Sequence, residues 1–323
     1  MRNAKCNTTI QERGSLQQRD VRIRHDQRVT ALAWSPLNAW PFGRRYIASA
    51  DAGGVVLVSD SETGRTHAHL VHREEVCQLA WSPDTTTLAA ACRDGSVQVW
   101  DTQTWSRATT YRQHTYRGLP SPVRAVSYSR DSRYLVSCDD DRTVRIWDVY
   151  TGETMLRYFQ GHAGAVTSLA WSPDGQTIAS GGDWGEVQVW DAVTGQTLLT
   201  YQGHRARVAA LAWSVGGYSL VSASWDGTVQ VWVALTGQTR LTYRGLPRPE
   251  SSPLRRWYAV AFAPGVARIA SAGEQQPVQI WEERTGRLIA TYGGGAATST
   301  ALAWSPDGRN IAASDGGREV RIW

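Results

Sequence analysis

The chain has 323 residues, 41% apolar side chains, a net charge of +5 and four scattered cysteines, which suits a reducing compartment and argues against a disulfide-stabilised scaffold. No apolar run approaches the roughly 18 residues of a membrane span, and the polar start is unlike a signal peptide, so we expect a cytoplasmic protein without a membrane partner. Sixteen tryptophans against three phenylalanines indicate one structural position that recurs along the chain.

The start of the chain is polar and carries no strand pattern, so we expect a flexible tail at residues 1–19. From residue 20 onward the chain repeats itself. A phrase of the form apolar-Ala-aromatic-Ser-Pro has its aromatic residue at Trp34, Trp81, Tyr128, Trp171, Trp213, Phe262 and Trp304. A second phrase, Val-x-Val/Ile-Trp, ends in the same phase at Ser59, Trp100, Trp147, Trp190, Trp232, Trp281 and Trp323. Two independent phrases therefore define seven copies.

Each copy contains four short runs of strand character separated by turn signals. In the fourth copy the runs are AVTSLAW, QTIASGG, EVQVWD and TLLTYQG, where β-branched and aromatic residues with partial period-two alternation predict strands. One four-stranded unit cannot bury both of its faces alone, so the units must stack. The predicted fold is all-β, a seven-bladed β-propeller of four-stranded antiparallel blades that forms a single domain over residues 20–323.

The two ends of the repeated region complement each other. The seventh copy stops at Trp323 after its third strand, whereas residues 20–25 (DVRIRH) stand before the first copy. His25 lies nine residues before the first aromatic residue, the same interval that separates His162 from Trp171. Residues 20–25 are therefore predicted to form the outer strand of the last blade, which closes the ring and removes an open sheet edge.

The copies resemble the WD repeat. A Gly-His dipeptide occurs at Gly161-His162 and Gly203-His204, and the Trp-Asp dipeptide occurs at Trp100-Asp101, Trp147-Asp148 and Trp190-Asp191. The resemblance covers about residues 20–323, and it implies the seven-bladed propeller of the WD-repeat (WD40) family, whose usual work is protein or peptide binding.

In WD repeats the His joins a buried network with a strand Ser or Thr, a turn Asp and the Trp of the third strand, which satisfies polar groups between strands. The resemblance therefore assigns this structural role to His72, Asp94, Trp100, Ser137, Asp141, Trp147, His162, Ser180, Trp190, His204, Ser222, Asp226 and Trp232. The first, sixth and seventh copies have Gly53, Gln275 and Gly317 at the turn position. We expect those blades to be locally less rigid or held by packing alone.

Three histidines, His67, His69 and His72, stand close together in the stretch THAHLVH. On a strand the first two share a face, which is one way to bind zinc. His72 is the histidine of the repeat and is expected to point elsewhere, so a solvated outer strand is the favoured interpretation.

The residues that common catalytic motifs require are missing. Lys5 is the only lysine, which removes a Walker A loop, a kinase lysine and Schiff-base catalysis. Neither G-x-S-x-G nor H-E-x-x-H occurs. We predict a protein that is not an enzyme, with no catalytic residue, no cofactor and no metal.

One face of such a ring carries the loops that lead into each blade and the turns that precede each Trp strand. We call it the upper face, and in WD-repeat proteins partners commonly bind there near the central channel. The matching positions give the predicted partner-binding residues Arg28, Arg73, Arg93, Asp140, Asp183, Arg205, Arg207, Trp225 and Arg256. Arginine and tryptophan are enriched at interface hot spots, so Arg205, Arg207 and Trp225 in the fifth copy are the first choice. The alternative is that Trp225 merely packs over its own turn.

Three insertions interrupt the repeat. Residues His114–Pro122 and Arg244–Arg256 are expected to enlarge the upper face, and Asn38–Arg45, with Trp40 and Phe42, to lie on the opposite face. Loops of this kind commonly carry binding function, although they can also simply cap a blade.

Two functions are compatible with these features. The first is a scaffold, expected to be a monomer, that binds a protein or an acidic or phosphorylated peptide on the upper face through arginine–anion contacts. The alternative is a nucleic-acid-binding propeller that uses the same arginine and aromatic side chains. The carboxylates of Glu75, Asp140 and Asp183 on that face weaken a track for phosphates, so we favour the protein partner.

Overall fold

The computed structural model describes residues 21–36, 45–158, 162–247, 255–293 and 298–323. The predicted tail at residues 1–19, the loop with Trp40 and Phe42, Gly161 and most of the Arg244–Arg256 insertion lie outside the described residues. The described ranges contain no helix with the length and apolar character needed to cross a membrane.

The described residues form thirty strands, in keeping with the short β-branched runs of the sequence. In chain order they are β1 (Val21–Arg24), β2 (Val29–Trp34), β3 (Tyr46–Asp51), β4 (Val55–Asp60), β5 (Thr66–Val71), β6 (Val76–Trp81), β7 (Thr87–Cys92), β8 (Val97–Asp101), β9 (Arg107–Tyr111), β10 (Thr115–Tyr116), β11 (Leu119–Pro120), β12 (Val123–Tyr128), β13 (Tyr134–Asp139), β14 (Val144–Asp148), β15 (Thr154–Tyr158), β16 (Val166–Trp171), β17 (Thr177–Gly182), β18 (Val187–Asp191), β19 (Thr197–Tyr201), β20 (Val208–Trp213), β21 (Ser219–Ser224), β22 (Val229–Val233), β23 (Thr239–Tyr243), β24 (Trp257–Phe262), β25 (Arg268–Gly273), β26 (Val278–Glu282), β27 (Leu288–Tyr292), β28 (Leu302–Trp304), β29 (Ile311–Ser314) and β30 (Glu319–Ile322).

Seven four-stranded antiparallel sheets make up the blades, and this confirms the predicted fold. Blades 1 and 2 are β2–β5 and β6–β9, blades 3 to 6 are β12–β15, β16–β19, β20–β23 and β24–β27, and blade 7 is β28, β29, β30 and β1. In blade 7 the N-terminal strand pairs with β30, with Val21 opposite Ile322 and Arg24 opposite Glu319. The chain therefore closes its own ring, as the position of His25 predicted. The small hairpin β10–β11 stands in the insertion before blade 3.

The core lies between neighbouring blades. In blades 2 to 6 the third strand is almost fully buried. In blades 3 to 6 its Trp stacks on a Tyr that ends the outer strand of the blade before. Tyr201 lies on Trp232 in this way, with ring centroids 4.2 Å apart and an interplanar angle of 5°. Tyr111 and Trp147 form the same pair at the seam between blades 2 and 3, with ring centroids 4.5 Å apart. These stacked pairs join one blade to the next, which explains the abundance of tryptophan.

A β-bulge near the start of the inner strand recurs in six blades. In blade 3 the pairing register jumps from Val123 to Ala125, so Arg124 has no partner residue on the neighbouring strand. A bulge re-aims the side chain of the unpaired residue. The bulged residues, together with Thr300 of blade 7, line the central channel, and they are Thr30, Cys77, Arg124, Thr167, Ala209 and Tyr258.

Candidate functional site

The upper mouth of the channel is a depression of about 320 Å³. The channel-lining residues form its floor, and four arginines and one carboxylate rise around it: Arg28, Arg93, Arg124, Arg207 and Glu75. Trp225 and Tyr258 complete the wall. Of the predicted partner-binding residues, Arg28, Arg93, Arg207 and Trp225 thus lie together at one opening. Positive charge inside a concave, partly apolar wall attracts anionic groups of a ligand.

The arginines at the mouth are held by carboxylates rather than free. Arg93 lies 2.7 Å from Glu75, and Arg28 lies 3.5 Å from the other oxygen of the same carboxylate. Arg124 makes a two-point contact with Asp140, with N–O distances of 2.8 and 2.6 Å. That contact raises the pKa of Arg124 above its ordinary value. A bidentate pair fixes the orientation of a guanidinium group, so these side chains are positioned before any partner arrives.

Trp225 lies between two arginines at the blade 5–blade 6 boundary. The guanidinium carbons of Arg207 and Arg256 are each 4.7 Å from the centroid of its ring, within the range of cation–π attraction. Tyr258 meets the same indole edge-on, with centroids 6.1 Å apart. Arg207 also donates to Asp183 of blade 4. Trp225 is therefore part of a cluster that spans three blades, and it does more than cover its own turn.

Two predicted binding residues stand apart from the mouth. Arg73 and Arg205 are exposed, and no carboxylate among the described residues forms an ion pair with either side chain. The backbone N–H of Arg205 donates to Asp226 at 3.0 Å, so the chain at this point belongs to the network of blade 5. Their guanidinium groups are available to a partner that extends beyond the channel mouth.

Sequence reasoning missed three residues of this face. Arg124 and Tyr258 lie at the mouth because bulges turn them toward the channel, and a bulge leaves no clear pattern in a single sequence. Trp184 is 73% exposed and packs over Gly164, where an added Cβ would lie 2.3 Å from its Cδ1 atom. The sequence does mark Trp184 as unusual, because it stands at the turn position that carries Asp in other copies.

The histidine network of blade 5 has the expected members. His204 Nε2 lies 2.7 Å from Ser222 Oγ, its Nδ1 lies 3.0 Å from Asp226, and the Trp232 indole donates to the same Ser222 oxygen at 3.2 Å. A carboxylate only accepts, so Nδ1 carries the proton and Nε2 accepts from the serine hydroxyl. Burial disfavours the Asp226 carboxylate, but hydrogen bonds from His204 and Thr228 outweigh it and hold its pKa well below the usual value.

In blade 3 the carboxylate that faces the histidine differs from the predicted Asp141, and in blade 4, for which no carboxylate was predicted, a glutamate faces the histidine. His114 of blade 3 lies 3.0 Å from Asp139 at the end of the second strand, while Asp141 pairs with the buried Arg145 at 3.1 Å. His162 of blade 4 lies 2.9 Å from Glu186, at the start of the third strand. In both blades the strand serine and the Trp are joined as expected, with Trp147 to Ser137 at 3.1 Å and Trp190 to Ser180 at 3.3 Å.

Blades 2 and 1 depart from the pattern in opposite ways. In blade 2 the Trp100 indole donates directly to His72 Nε2 at 3.1 Å, and His72 Nδ1 faces the Gly54 carbonyl. The carboxylate of Asp94 instead accepts from Ser96, so the expected His72–Asp94 contact is replaced. Blade 1, which has glycine at the turn, nevertheless has a histidine–carboxylate pair, because His25 Nδ1 lies 3.1 Å from Asp51.

The two other histidines of the sequence cluster do not share an environment with His72. The ring of His67 lies 5.2 Å from that of Tyr46 and 6.2 Å from that of Trp105, and His72 is buried beneath the upper face. In the ranges that the structure describes, no three His, Cys, Asp or Glu side chains are placed to hold a metal ion.

The groups at the mouth provide charged and apolar contacts. The Cys77 thiol lies in its floor, and burial raises the pKa of that thiol to about 11, so it stays protonated and is a poor nucleophile. The arginine guanidinium groups can donate hydrogen bonds to carboxylates or phosphates, and the aromatic rings offer apolar contact.

The repeats of the chain match a known family of repeat proteins. The family model for the WD domain, G-beta repeat (WD40), matches residues 64–101, 107–148, 153–191, 195–233 and 286–323, which is more than half of the chain. The unmatched segments hold most of blades 1 and 6. Ser59 replaces the repeat Trp in blade 1 and Gln275 the turn Asp in blade 6, although both blades have four strands.

Three curated proteins illustrate the similarity. The anaphase-promoting complex subunit cdh1 of Dictyostelium discoideum is 35% identical over 80 residues, which cover 24% of this chain and 10% of that protein. Coronin-7 of Mus musculus is 33% identical over 78 residues, with 24% and 8% covered. Meiotic fizzy-related protein 2 of Schizosaccharomyces pombe is 28% identical over 85 residues, with 25% and 16% covered. The matched stretch is therefore a small part of each relative.

Proposed function

Because the chain belongs to the WD40-repeat family, we propose that it is a non-catalytic scaffold that binds a protein or peptide on its upper face. The family match and relatives such as a subunit of the anaphase-promoting complex support a role in protein interaction. The observation that carries the choice of face is the cluster of Arg207, Trp225 and Arg256 beside the channel mouth.

The chemistry of the mouth favours an acidic or phosphorylated segment as the ligand. Four arginines line the opening and three carboxylates, Glu75, Asp140 and Asp183, pair with them. The guanidinium groups of Arg205 and Arg256 add positive charge, because neither has an ion-pair partner among the described residues. A carboxylate or phosphate of the ligand can bind the free groups directly and compete with Glu75 or Asp183 for the others. The indole of Trp225 supplies the apolar anchor that such hot spots use.

Nucleic acid is the less supported alternative. A phosphate-tracking groove needs a continuous row of available cations. Here Glu75, Asp140 and Asp183 alternate with the arginines and neutralise much of that charge. We therefore expect weak association with RNA or DNA, and only at low ionic strength.

An array of immobilised peptides tests the ligand class. We expect acidic and phosphorylated peptides to retain the protein, neutral and basic ones not to, and the signal to fall as salt rises because charge pairs are screened. Single-stranded RNA and DNA of the same length serve as competitors. Retention that is independent of peptide charge, or that nucleic acid displaces stoichiometrically, would contradict the proposal.

A further inference from the structure

A second cavity lies at the opposite end of the strands, between blades 3 and 4. We call this side, which carries the turns after the first and third strands of each blade, the lower face. The cavity has a volume of about 660 Å³, within the range of known ligand pockets. Its walls are mainly apolar and are formed by Tyr134, Ile146, Met155, Leu156 and Trp171. The mouth of the channel described above shares none of these residues.

The orientation of Trp171 opens this cavity. In blades 1, 2 and 5 the equivalent indole N–H crosses the seam and donates to a carbonyl of the preceding blade, as Trp81 does to Ala33 and Trp213 to Ala170. Trp171 instead donates to the carbonyl of Gly175 in its own turn, at 3.0 Å. The indole thus stays on the blade 4 side, and the seam with blade 3 is left open.

The protein contains a filled version of the same groove. At the blade 1–blade 2 seam, Trp105 lies edge-on to Trp81 with centroids 6.2 Å apart and also meets His67. Trp105 comes from the turn after the third strand, and the residue at that repeat position in blade 4 is Gly195. Trp81 and Trp171 also occupy equivalent positions, each at the end of the first strand of its blade. The groove at one seam is therefore occupied by an indole of the chain itself, and at the other seam that indole is missing.

Leu156 fills only part of the space. An added Cβ at Gly195 would lie 3.2 Å from the Leu156 side chain, whereas the small Ala68 stands at the corresponding position beneath Trp105. The 660 Å³ cavity remains in spite of Leu156. Two solvent-exposed apolar side chains border the cavity, since Met155 is 58% exposed and Val193 is 84% exposed. Exposed apolar groups around a concave site are typical of interaction surfaces.

The rim is negatively charged on balance. Asp131 and Asp174 stand on it against one cation, Arg130. In each carboxylate Oδ1 accepts the hydrogen bonds of its own turn, from Ser129 in one case and Ser172 in the other. Among the described residues neither Oδ2 accepts a hydrogen bond, and both aspartates are exposed. These two oxygens are complementary to a basic group beside the occupant of the groove.

We propose that the groove between blades 3 and 4 binds a tryptophan side chain of a partner protein, carried on a segment with basic residues next to it. The indole takes the place that Trp105 takes at the blade 1–blade 2 seam. Arginine or lysine neighbours then face Asp131 and Asp174. This partner differs in charge from the acidic ligand proposed for the upper face, so one chain can hold two different proteins on its two faces.

Met155, which lines the groove, can report on binding at this site. It has two methionines, Met1 and Met155, so a protein labelled with ¹³C in the methionine methyl groups gives two signals, one of them from the groove. The probe is the capped tripeptide Arg-Trp-Arg, with Arg-Ala-Arg and Glu-Trp-Glu as comparisons. We expect Arg-Trp-Arg to shift the Met155 methyl signal upfield in a saturable way, through the ring current of the bound indole, and to leave Met1 unchanged.

Matched variants locate the effect. Val193→Arg places a positive charge at the rim, where it repels the arginines of the peptide. Leu235→Arg places the same charge at the equivalent turn position of blade 5, where the side chain is 66% exposed. We expect the first to weaken peptide binding at least tenfold and the second to leave it unchanged. Both residues are exposed, so the fold is expected to tolerate either substitution.

The outcomes are decisive in both directions. No saturable shift with Arg-Trp-Arg, an equal shift with Arg-Ala-Arg, or unchanged binding in Val193→Arg would overturn the site. Equal binding of Glu-Trp-Glu would overturn the basic partner. The double variant Arg207→Ala/Trp225→Ala is expected to bind Arg-Trp-Arg normally, so failure here and failure of the upper-face proposal are distinguishable.

Discussion

The guanidinium group of Arg207 lies over the ring of Trp225, 4.7 Å from its centroid, while its Nε–H donates to Asp183 of the neighbouring blade. The indole is thus held by a side chain that is itself held by a carboxylate. Arg256 of blade 6 packs on the same ring at the same distance. Three blades fix the position of one tryptophan at the channel mouth, which reduces the conformational entropy that a binding partner must overcome.

The first prediction concerns the blade networks and uses one substitution in two blades. Ser222→Ala in blade 5 removes the oxygen that accepts from Trp232 and bonds His204. Ser271→Ala in blade 6 removes only the acceptor of Trp281. Buried polar groups without a partner cost about 1–3 kcal/mol each, so we expect the blade 5 variant to lose about twice as much unfolding free energy. Urea unfolding measures both, and equal losses would show that the network adds nothing.

The second prediction is a loss of stability in mild acid that depends on His72. Burial lowers the pKa of His72 from 6.5 to about 4, and its neutral Nε2 accepts from Trp100. The unfolded chain takes up the proton at the ordinary pKa and the folded chain only near pH 4. Stability from this group is therefore present above pH 6.5, falls as the pH drops toward 4, and is level below that.

The size of this effect follows from the shift, on the order of 3 kcal/mol between those limits. His114, whose pKa burial lowers to about 3, contributes in an overlapping range. We expect the variant His72→Gln to lose less unfolding free energy than the wild type between pH 7 and pH 4.5. Parallel urea titrations at the two pH values check this, and identical pH dependence in both proteins would refute it.

The third prediction concerns ring closure. Ile23 of the N-terminal strand is 2% exposed and packs with Val29, Val320 and Ile322. Ile23→Ala creates a cavity in the strand that closes the ring, and such changes cost about 2–5 kcal/mol. Arg24→Ala, the control in the same strand, removes an exposed ion pair with Glu319 and is expected to cost less than about 1 kcal/mol. A melting temperature for Ile23→Ala as high as that of the control would show that β1 contributes little to closure.

The repeat made the fold predictable to the level of single strands. Two phrases in one phase fixed seven blades, and the interval from His25 to Trp34 placed the closing strand. The carboxylate partners of the histidines were harder to assign. A carboxylate can reach the buried imidazole from the end of the second strand, as Asp51 does, from the turn, as Asp226 does, or from the start of the third strand, as Glu186 does. Position in the repeat therefore does not predict which carboxylate contacts the histidine of a given blade.

The candidate site was predictable in part for a related reason. Arg207 and Trp225 lie in loops whose place on the upper face follows from the repeat. Arg124 reaches the mouth because of a bulge, and Trp171 opens the lower groove through the direction of one indole N–H. Both depend on side-chain orientation within a strand, which the alternation of apolar residues does not encode.

The most direct test of the scaffold role is affinity capture from a native lysate with identification of bound proteins by mass spectrometry. The wild type is compared with the triple variant Arg205→Ala/Arg207→Ala/Trp225→Ala. The control is Tyr218→Ala/Arg284→Ala, which removes an exposed aromatic side chain and an exposed arginine from the lower face. We predict a protein that the wild type and the control retain and that the triple variant loses without a large change in melting temperature. Retention of the same proteins by all three would contradict binding on the upper face.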